Sequence, residues 1–585
     1  MAAETEANTG TQLTAEANVF DRLMNAGLGR MTRGLSPPAI ALANLDWALH
    51  LSMHPGKQAE LVEKAYRKAL RLGVYASRCV SQEDTEPCIE PLPQDHRFDA
   101  EEWRQWPFNI VYQSFLLGQQ WWHNATTGVR GVNRHHEDVV NFLGRQVLDL
   151  FSPSNYLWTN PEILRRTMEE GGQNLLRGWQ NFIEDVEREV GDRPPAGVDD
   201  FVVGRDMAAT PGKVVFRNEL MELIQYEPQT KTVFPEPVLI VPAWIMKYYI
   251  LDLKPGASLI EYLVEQGHTV FAVSWKNPDA DDLHFGMEDY RRLGVMDALD
   301  TIGKIVPDQK VHGVGYCLGG TLMSLAAAAM ARDGDDRLAT LSLFAAQHDF
   351  TEPGELELFI DDSQVAFLED VMWANGYLSR SQMAGAFAML NSQDLVWSRM
   401  IHDYLLGERS PMFELMAWNA DATRLPYRMH SEYLRHLFLN NDLAEGRYDV
   451  GGQPIHIGDI KAPIFAVGTE RDHVAPWQSA YKINRFARTD VTFLLTSSGH
   501  NSGIVTPPGH PRRHYRMTSR RIDDRYVAPE QFLAEAPKTE GSWWPAWENW
   551  LRGHAGSRRA PPEMGAPEAG LAPLANAPGS YVMQR

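Results

Sequence analysis

The first third of the chain is patterned for helices. Apolar side chains return every three or four positions between residues 35 and 75, and again from 98 to 189. Such spacing places them on one helix face, which a helical domain buries. We therefore predict a helical N-terminal domain over residues 19–200. The preceding residues, 1–18, lack apolar periodicity and are expected to be disordered.

From residue 201 the pattern changes to short apolar runs that alternate with helical segments. The predicted strands are Val214–Phe216, Met221–Tyr226, Val238–Val241, His268–Ser274, Val311–Tyr316, Leu338–Ala345, Pro463–Gly468 and Val491–Thr496. The helical segments between them are Leu259–Gln266, Tyr290–Ile305 and Thr321–Arg332. This alternation predicts the α/β class, with a mainly parallel central sheet and helices on both faces, over residues 201–552.

Two stretches depart from this alternation. Residues 350–455 show mixed helical patterns with many aromatics, between two predicted sheet strands. An insertion at that position predicts a cap subdomain over an active site. Residues 553–585 are rich in Ala, Pro and Gly and carry few large apolar side chains, so we expect a disordered tail.

Composition narrows the class of protein. Hydrophobic residues make up 44% and charged residues 22% of the 585 residues, and the formal charge is −21. So acidic a chain is a poor partner for nucleic acid. Its cysteines, Cys79, Cys88 and Cys317, lack the paired spacing of a zinc site and suit a reducing compartment. Without a secretory signal or a membrane-spanning apolar run, the protein is expected to be cytoplasmic.

The strongest chemical signal is the six-residue segment Gly315–Gly320, GYCLGG, between a predicted strand and an Ala-rich helix. It matches the nucleophile elbow G-x-S-x-G, with Cys317 in place of serine. Glycines allow the close backbone contacts of this strained turn, and the helix N-terminus favours a thiolate. A buried structural cysteine is the alternative, but it does not require this strand–turn–helix context. We predict an α/β-hydrolase fold in which Cys317 forms a covalent thioester.

On this fold the acid and the base follow the nucleophile in chain order, each after a strand. Asp472 follows the predicted strand 463–468, and His500 follows the strand 491–496. These two residues are therefore the predicted acid and base of the triad. Glu470 is an alternative acid, whereas His473 and His312 lie at positions that suit a base poorly.

Backbone amides should complete the site. The amide of Leu318, directly after the nucleophile, is placed to stabilise an oxyanion. A second donor is expected in the loop after the strand Val238–Val241, from Ala243, Trp244 or Ile245.

Longer segments have a distinctive sequence. They are VPAWIMKYYILDLKPGASLIEYLVEQGHTVFAVSWKNPD (241–279), WNADATRLP (418–426), GSWWPAW (541–547), FSPSNYLWTNPE (151–162) and GRDMAATPGKVVF (204–216). With GYCLGG, ERDHVAPW and SSGHNSGIVTPP, they resemble the polyhydroxyalkanoate synthases over about residues 35–555. The segment 36–65 is similar to the N-terminal region of the class I, short-chain-type enzymes.

This resemblance implies an acyltransferase that polymerises 3-hydroxyacyl-CoA thioesters, with 3-hydroxybutyryl-CoA as the expected unit, and releases CoA. CoA belongs to substrate and product, and no cofactor or metal is implied. The expected partners are the growing polyester chain, a second copy in a homodimer and the polymer granule surface. The family usually has Pro-Pro-Trp-Ile-Asn after the first core strand; here Ala243 and Met246 differ, which bears on substrate preference.

Three alternatives stay open at this point. Asp472 either orients His500 or activates the attacking hydroxyl itself. The same triad would also serve a cysteine hydrolase acting on an ester or lactone. A non-catalytic protein that binds a granule or membrane through its aromatic N-terminal helices is a third possibility, which an intact elbow, acid and base disfavour.

Overall fold

The computed structural model describes residues 18–81, 85–191, 193–390 and 392–585. They form two compact units, one comprising 35–196 with 384–411 and the other comprising 197–383, 412–585 and the described residues up to 34. The disorder expected for 1–18 falls outside the described residues except at residue 18, which is helical, as are residues 19–32.

The first unit is helical, as the apolar spacing predicts. Its helices are Pro37–Ser52, Pro55–Ser81, Phe108–Thr126, Arg134–Leu150, Pro161–Glu169 and Gln173–Val190, together with the π-helical segments Gln393–Ser398 and Met400–Leu405. Short 3₁₀ turns lie at Glu101–Arg104 and Pro153–Asn155. Two helices begin with a side-chain cap followed by proline: Ser36 Oγ accepts from Ala39 N at 3.3 Å, and Asn160 Oδ1 accepts from Glu162 N at 3.0 Å. Such caps satisfy amides that a helix start leaves unpaired.

The aromatics of this unit divide between core and surface. Phe98, Trp103 and Tyr112 are buried together, with the Phe98 and Trp103 rings 5.0 Å apart and nearly perpendicular. Trp106 and Trp158 are instead 72% and 78% exposed. The aromatic-rich sequence therefore builds a core and also leaves large rings on the surface.

The second unit is built on an eleven-stranded sheet in the described residues. In chain order its strands are β1 Gly212–Arg217, β2 Met221–Tyr226, β3 Val238–Val241, β4 Val270–Trp275, β5 Val311–Tyr316, β6 Leu338–Phe344, β7 Ile464–Thr469, β8 Val491–Thr496, β9 His514–Arg520, β10 Lys538–Glu540 and β11 Ala575–Asn576. Their spatial order is β10-β9-β8-β7-β6-β5-β3-β4-β2-β1-β11. In this order the six neighbouring strands β8, β7, β6, β5, β3 and β4 pair in parallel. The pairs on either side of them are antiparallel.

Helices accompany this sheet. They are Leu259–Glu265, the continuous stretch 287–305, Leu318–Asp333, Asp362–Asn375, Glu414–Asn419, Tyr427–Glu432, Tyr433–Leu439, Trp477–Tyr481, Ile483–Phe486, His500–Ile504, Pro529–Glu535 and Trp544–Gly553. The helix Arg380–Leu390 belongs to this unit up to residue 383 and to the helical unit from residue 384. The carboxyl ends of β5, β7 and β8 lead directly into the segments that carry the predicted triad, so the parallel sheet brings those segments to one edge. The predicted mainly parallel α/β sheet is confirmed.

The structure divides the insertion and the N-terminus differently from the prediction. Within the predicted cap, 350–455, residues 384–411 group with the helical unit, whereas the rest groups with the sheet. Residues 18–34 likewise group with the sheet, where Asn25 Nδ2 donates to Asp370 Oδ2 at 2.8 Å and Gln364 Nε2 donates to the Gly34 carbonyl at 2.7 Å.

The tail, 553–585, follows a defined path, contrary to the expected disorder. Its strand β11 lies antiparallel to β1, with Leu574 N donating to Val214 O at 2.8 Å and Ala577 N donating to Gly212 O at 2.9 Å. Val582 is buried. Order here comes from backbone hydrogen bonds to a sheet edge, which composition does not reveal. No helix among the described residues has the length and apolarity to cross a membrane.

Candidate active site

The segment around Cys317 forms the turn that its sequence predicts. β5 ends at Tyr316 and a helix starts at Leu318, which leaves Cys317 between them with φ +53° and ψ −123°. A non-glycine residue with this backbone is strained, and such strain is retained when the surroundings over-determine it. Cys317 N donates to Phe344 O at 2.8 Å, so β6 holds the turn in place.

Glycines around Cys317 permit close backbone contacts. A Cβ on Gly315 would lie 2.7 Å from Gly320 N, and one on Gly319 would lie 2.6 Å from the Pro242 carbonyl oxygen. Both distances are too short for any side chain. Gly319 therefore lets the elbow lie directly against the loop that follows β3, where the second oxyanion donor is expected.

Asp472 and His500 meet at the ends of the neighbouring parallel strands β7 and β8. His500 Nδ1 lies 2.8 Å from Asp472 Oδ2, and because a carboxylate only accepts, this ring nitrogen carries the proton. Oδ2 also accepts from Thr469 Oγ1 at 2.8 Å, while Oδ1 accepts from the amides of Val474 and Ala475 at 3.0 and 2.8 Å. Both carboxylate oxygens are thus engaged.

The electrostatics of this pair favour charge on both partners. Burial by itself raises the pKa of Asp472, but the His500 charge and the hydrogen bonds to the carboxylate outweigh it and hold the pKa below its ordinary value. Burial by itself lowers the pKa of His500, but the charges of Asp472 and Cys317, with hydrogen bonds to both, raise it well above its ordinary value. The hydrogen-bonded pair Asp472–His500 therefore favours a charged imidazolium that interacts electrostatically with Cys317.

The side chains of two competing candidates, Glu470 and His312, are engaged elsewhere. Glu470, the alternative acid, has its Oε1 3.0 Å from His514 Nε2. His312 is fully buried in β5, with Nδ1 2.8 Å from Thr340 Oγ1, and burial lowers its pKa to about 3. The carbonyl of His473 accepts from Glu355 N at 3.1 Å.

Thr423 fixes the loop after β3 on the side opposite to Gly319. Ala243 and Trp244 are buried. Trp244 O accepts from Thr423 Oγ1 at 2.6 Å, and Ile245 O accepts from Thr423 N at 3.3 Å. With Gly319 on one side and Thr423 on the other, the amides of 243–245 lie in a fixed segment beside the helix that begins at Leu318.

Two aromatic residues near the triad were not identified from the sequence. The Tyr316 ring lies 5.6 Å from the His500 ring, and its hydroxyl donates to Asn501 Oδ1 at 2.6 Å. Tyr433, from the insertion, packs its ring 6.3 Å from that of Trp244, and burial followed by the charge of Cys317 raises its pKa well above the ordinary value. Tyr316 adjoins the nucleophile in sequence, but no spacing signal points to Tyr433.

A metal site is a separate question. Among the described residues, no group of three or more His, Cys, Asp or Glu side chains is arranged to hold a metal ion.

Comparison with known proteins identifies the family. Residues 236–507 match the family model described as alpha/beta hydrolase fold, residues 94–263 match "Poly-beta-hydroxybutyrate polymerase (PhaC) N-terminus", and residues 15–57 match "Poly-beta-hydroxybutyrate polymerase N terminal". The chain is 40% identical over 534 residues to the poly(3-hydroxyalkanoate) polymerase of Methylorubrum extorquens, covering 89% of this chain and 87% of that one. The chain belongs to the poly(3-hydroxyalkanoate) polymerase family.

Other poly(3-hydroxyalkanoate) polymerases agree with this assignment. The PhaC subunit of Cupriavidus necator is 36% identical over 495 residues, with 83% of each chain covered. Poly(3-hydroxyalkanoate) polymerase 2 of Ectopseudomonas oleovorans is 33% identical, covering 85% of this chain and 88% of its own. The family resemblance and the α/β-hydrolase fold inferred from the sequence are both confirmed.

Proposed function

We propose that this polymerase joins 3-hydroxyacyl units from CoA thioesters, with 3-hydroxybutyryl-CoA as the expected substrate, into a polyester. CoA is released, and the chain is carried as a thioester on Cys317. The observation that carries this proposal is the hydrogen bond between His500 and Asp472, with His500 in electrostatic contact with Cys317 of the elbow, in a chain whose relatives are named as polymerases.

In the acylation step His500 takes the proton of Cys317 at Nε2, since Nδ1 faces Asp472. The thiolate attacks the thioester carbonyl, and the developing oxyanion is stabilised by the amide of Leu318 and one amide of the 243–245 loop. The tetrahedral intermediate collapses with loss of the CoA thiolate, which takes the proton from His500.

In the elongation step the 3-hydroxyl of one acyl unit attacks the acyl thioester of another, so that an ester C–O bond forms as the thioester C–S bond breaks. The departing thiolate takes the proton that His500 removed from the hydroxyl. His500 is the general base, and Asp472 orients it and stabilises the imidazolium. Because both oxygens of Asp472 are already hydrogen-bonded, the geometry favours this orienting role over direct activation of the hydroxyl.

A cysteine suits repeated acyl transfer. Exchange between a CoA thioester and a cysteine thioester is nearly balanced in free energy, whereas a serine ester would hold the acyl group in a deeper well. Water must also be excluded, because hydrolysis ends the chain. Buried Tyr433 and Trp244 supply apolar surface beside the elbow for this purpose.

The oligomeric state and the cellular location of the protein are also part of the proposal. We propose a cytoplasmic homodimer that associates with the polymer granule surface and needs no cofactor or metal. The support is the family membership together with the acidic, cysteine-poor composition. Sedimentation with and without polymer tests the two associations.

The decisive experiment follows CoA release and polymer mass together, with purified enzyme and 3-hydroxybutyryl-CoA. Polymer that accumulates in proportion to released CoA is the expected result. Release of CoA with free 3-hydroxybutyrate in place of polymer would identify a hydrolase, and activity on simple esters alone would exclude a CoA substrate.

A further inference from the structure

Lys247 is a buried cation at the end of the loop that follows β3. The residue is 3% exposed, and burial lowers its pKa to about 8, although the nearby charge of Asp421 acts in the opposite direction. The Asp421 carboxylate itself accepts from Tyr249 Oη at 2.8 Å. Taking an ammonium group out of water is costly unless acceptors replace the solvent.

The acceptors come from the far end of the chain. Lys247 Nζ donates to the carbonyl oxygen of Gln584 at 2.7 Å and reaches that of Tyr581 at 3.5 Å. The side chain of Gln584 is fixed in turn, since its Oε1 accepts from Asn277 N at 2.9 Å. We call residues 579–584 the tail anchor.

A second buried charge fixes the other end of the tail anchor. Glu222, on β2, is buried and accepts from the amides of Ser580 and Tyr581 at 2.9 and 3.0 Å and from Ser580 Oγ at 2.8 Å. Gly579 has φ +85°, and a Cβ there would collide with the Glu222 carboxylate. The backbone of the tail anchor thus carries donors for a buried carboxylate at one end and acceptors for a buried ammonium at the other.

Lys247 connects the tail anchor to the loop beside the active site. It lies two residues beyond Ile245, and its own carbonyl accepts from Trp418 Nε1 at 2.8 Å. The same loop contacts the elbow at Gly319 and Thr423 at Trp244. Together with Trp418, Gly319 and Thr423, the tail anchor is therefore a fourth attachment of the segment that would supply the second oxyanion donor.

From these contacts we infer that Lys247 is a positioning residue: by binding the carbonyls of the tail anchor it holds the 243–245 amides where the acylation oxyanion forms. This inference rests on the proposed acyl-transfer function. It predicts a loss confined to steps that develop an oxyanion, because the triad is held by contacts of its own.

Two reactions of Cys317 distinguish a loss of the oxyanion hole from a loss of the Cys317 thiolate. Acylation is measured as CoA release in the first turnover. Alkylation by iodoacetamide forms an S–C bond and expels iodide, so it needs the thiolate but no oxyanion hole. Alkylation is followed by mass spectrometry on the Cys317 peptide, because Cys79 and Cys88 are also free thiols.

Lys247→Met removes the cation and keeps an unbranched side chain, and Gly579→Val displaces the tail anchor from Glu222. We expect each to slow acylation about tenfold while alkylation stays within about twofold of wild type. The double variant should lose no more than the slower single variant. Lys213→Met is the matched control: it removes a half-buried lysine that donates to Asn576 Oδ1 at 2.7 Å, and it should behave as wild type.

Three results would overturn the inference: unchanged acylation in Lys247→Met, equal losses of acylation and alkylation, or losses that multiply in the double variant. If thermal melting shows that Lys247→Met does not fold, Gln584→Ala replaces it. That variant loses only the bond to Asn277, and we expect acylation to fall about threefold with alkylation unchanged. Unchanged acylation would again overturn the inference.

A p-nitrophenyl acyl ester keeps this test separate from the proposed function. It needs the oxyanion hole but no recognition of CoA. Wild-type enzyme that is acylated by the ester but releases no CoA from the thioester would contradict the proposed substrate. The effect of Lys247→Met on ester acylation would then still decide the role of Lys247.

Discussion

The two sides of Cys317 are held in different ways. On the triad side, Asp472 is fixed by residues close to it in sequence, from Thr469 to Ala475, and by His500 on the adjacent strand. On the loop side, residues 242–247 are fixed by distant segments: Gly319, Trp418, Thr423 and the tail anchor. The chemistry of proton transfer therefore rests on local structure, and the geometry of oxyanion binding rests on long-range contacts.

The largest effect should come from removing the nucleophile, on which both sides act. Cys317→Ala deletes the sulfur, so we expect CoA release and polymer formation to fall by at least about 10³-fold, to the limit of detection. Both are measured with 3-hydroxybutyryl-CoA. CoA release that persists in this variant would exclude a covalent Cys317 thioester. Cys79→Ala, at another free thiol, is the control and should be fully active.

Removing the acid should disable the triad side alone. Asp472→Asn keeps the size of the side chain but loses its charge, so we expect acylation, elongation and Cys317 alkylation to fall together by about 10²–10⁴-fold. Single-turnover CoA release, polymer growth from a primed enzyme and alkylation report the three steps. Elongation that falls far more than acylation would indicate that Asp472 acts on the hydroxyl directly. Glu470→Gln, at the rejected alternative acid, is the matched control.

The sequence reveals the triad side far better than the loop side, for physical reasons. β2, β3, β5 and β8 have the predicted bounds because strands buried on both faces read as continuous apolar runs. The residues after β5, β7 and β8 then follow from the chain order of the fold. Helix 318–333 starts three residues earlier than predicted, because its first turn is the glycine-rich elbow.

Long-range contacts leave little trace in a sequence. β11 has only small and polar residues, and its order comes from backbone bonds to β1. The partners of Lys247 are carbonyl groups, which every residue carries. Tyr433 contacts Trp244 from almost two hundred positions away, so neither spacing nor composition could have identified it. Which loop amide completes the oxyanion hole stays a prediction, as do the catalytic roles themselves.

The charge pair on the triad side should make stability depend on pH. The raised pKa of His500 means that its contribution is complete below the unfolded value, about 6.5, and is lost as pH rises through the folded value. The lowered pKa of Asp472 means that its contribution is complete above about 3.9 and is lost as pH falls through the folded value. Melting curves should therefore show the largest advantage of wild type over Asp472→Asn between about pH 4 and 6.5. A difference in melting temperature between wild type and Asp472→Asn that does not change with pH would contradict a charged Asp472–His500 pair.

Smaller changes can test each side through a single hydroxyl group. On the triad side, Tyr316→Phe keeps the ring beside His500 and removes the hydrogen bond to Asn501. One such bond contributes about 1 kcal/mol, so we expect acylation and alkylation both to fall about two- to fivefold. Asn501→Ala should give a similar loss that does not add to that of Tyr316→Phe. Full additivity would mean that the two side chains do not act through their hydrogen bond.

The matched change on the loop side is Thr423→Val, which keeps the branched shape and removes the hydroxyl that donates to Trp244 O at 2.6 Å. Thr423 N still reaches Ile245 O at 3.3 Å, so the loop should loosen without detaching. We expect acylation to fall about two- to fivefold, as in Tyr316→Phe, but alkylation of Cys317 to stay at the wild-type rate. The two variants should thus slow acylation by similar factors and differ only in their effect on the alkylation of Cys317. If Thr423→Val also slows alkylation, the loop contributes to thiolate formation, and the two sides of Cys317 are not separable.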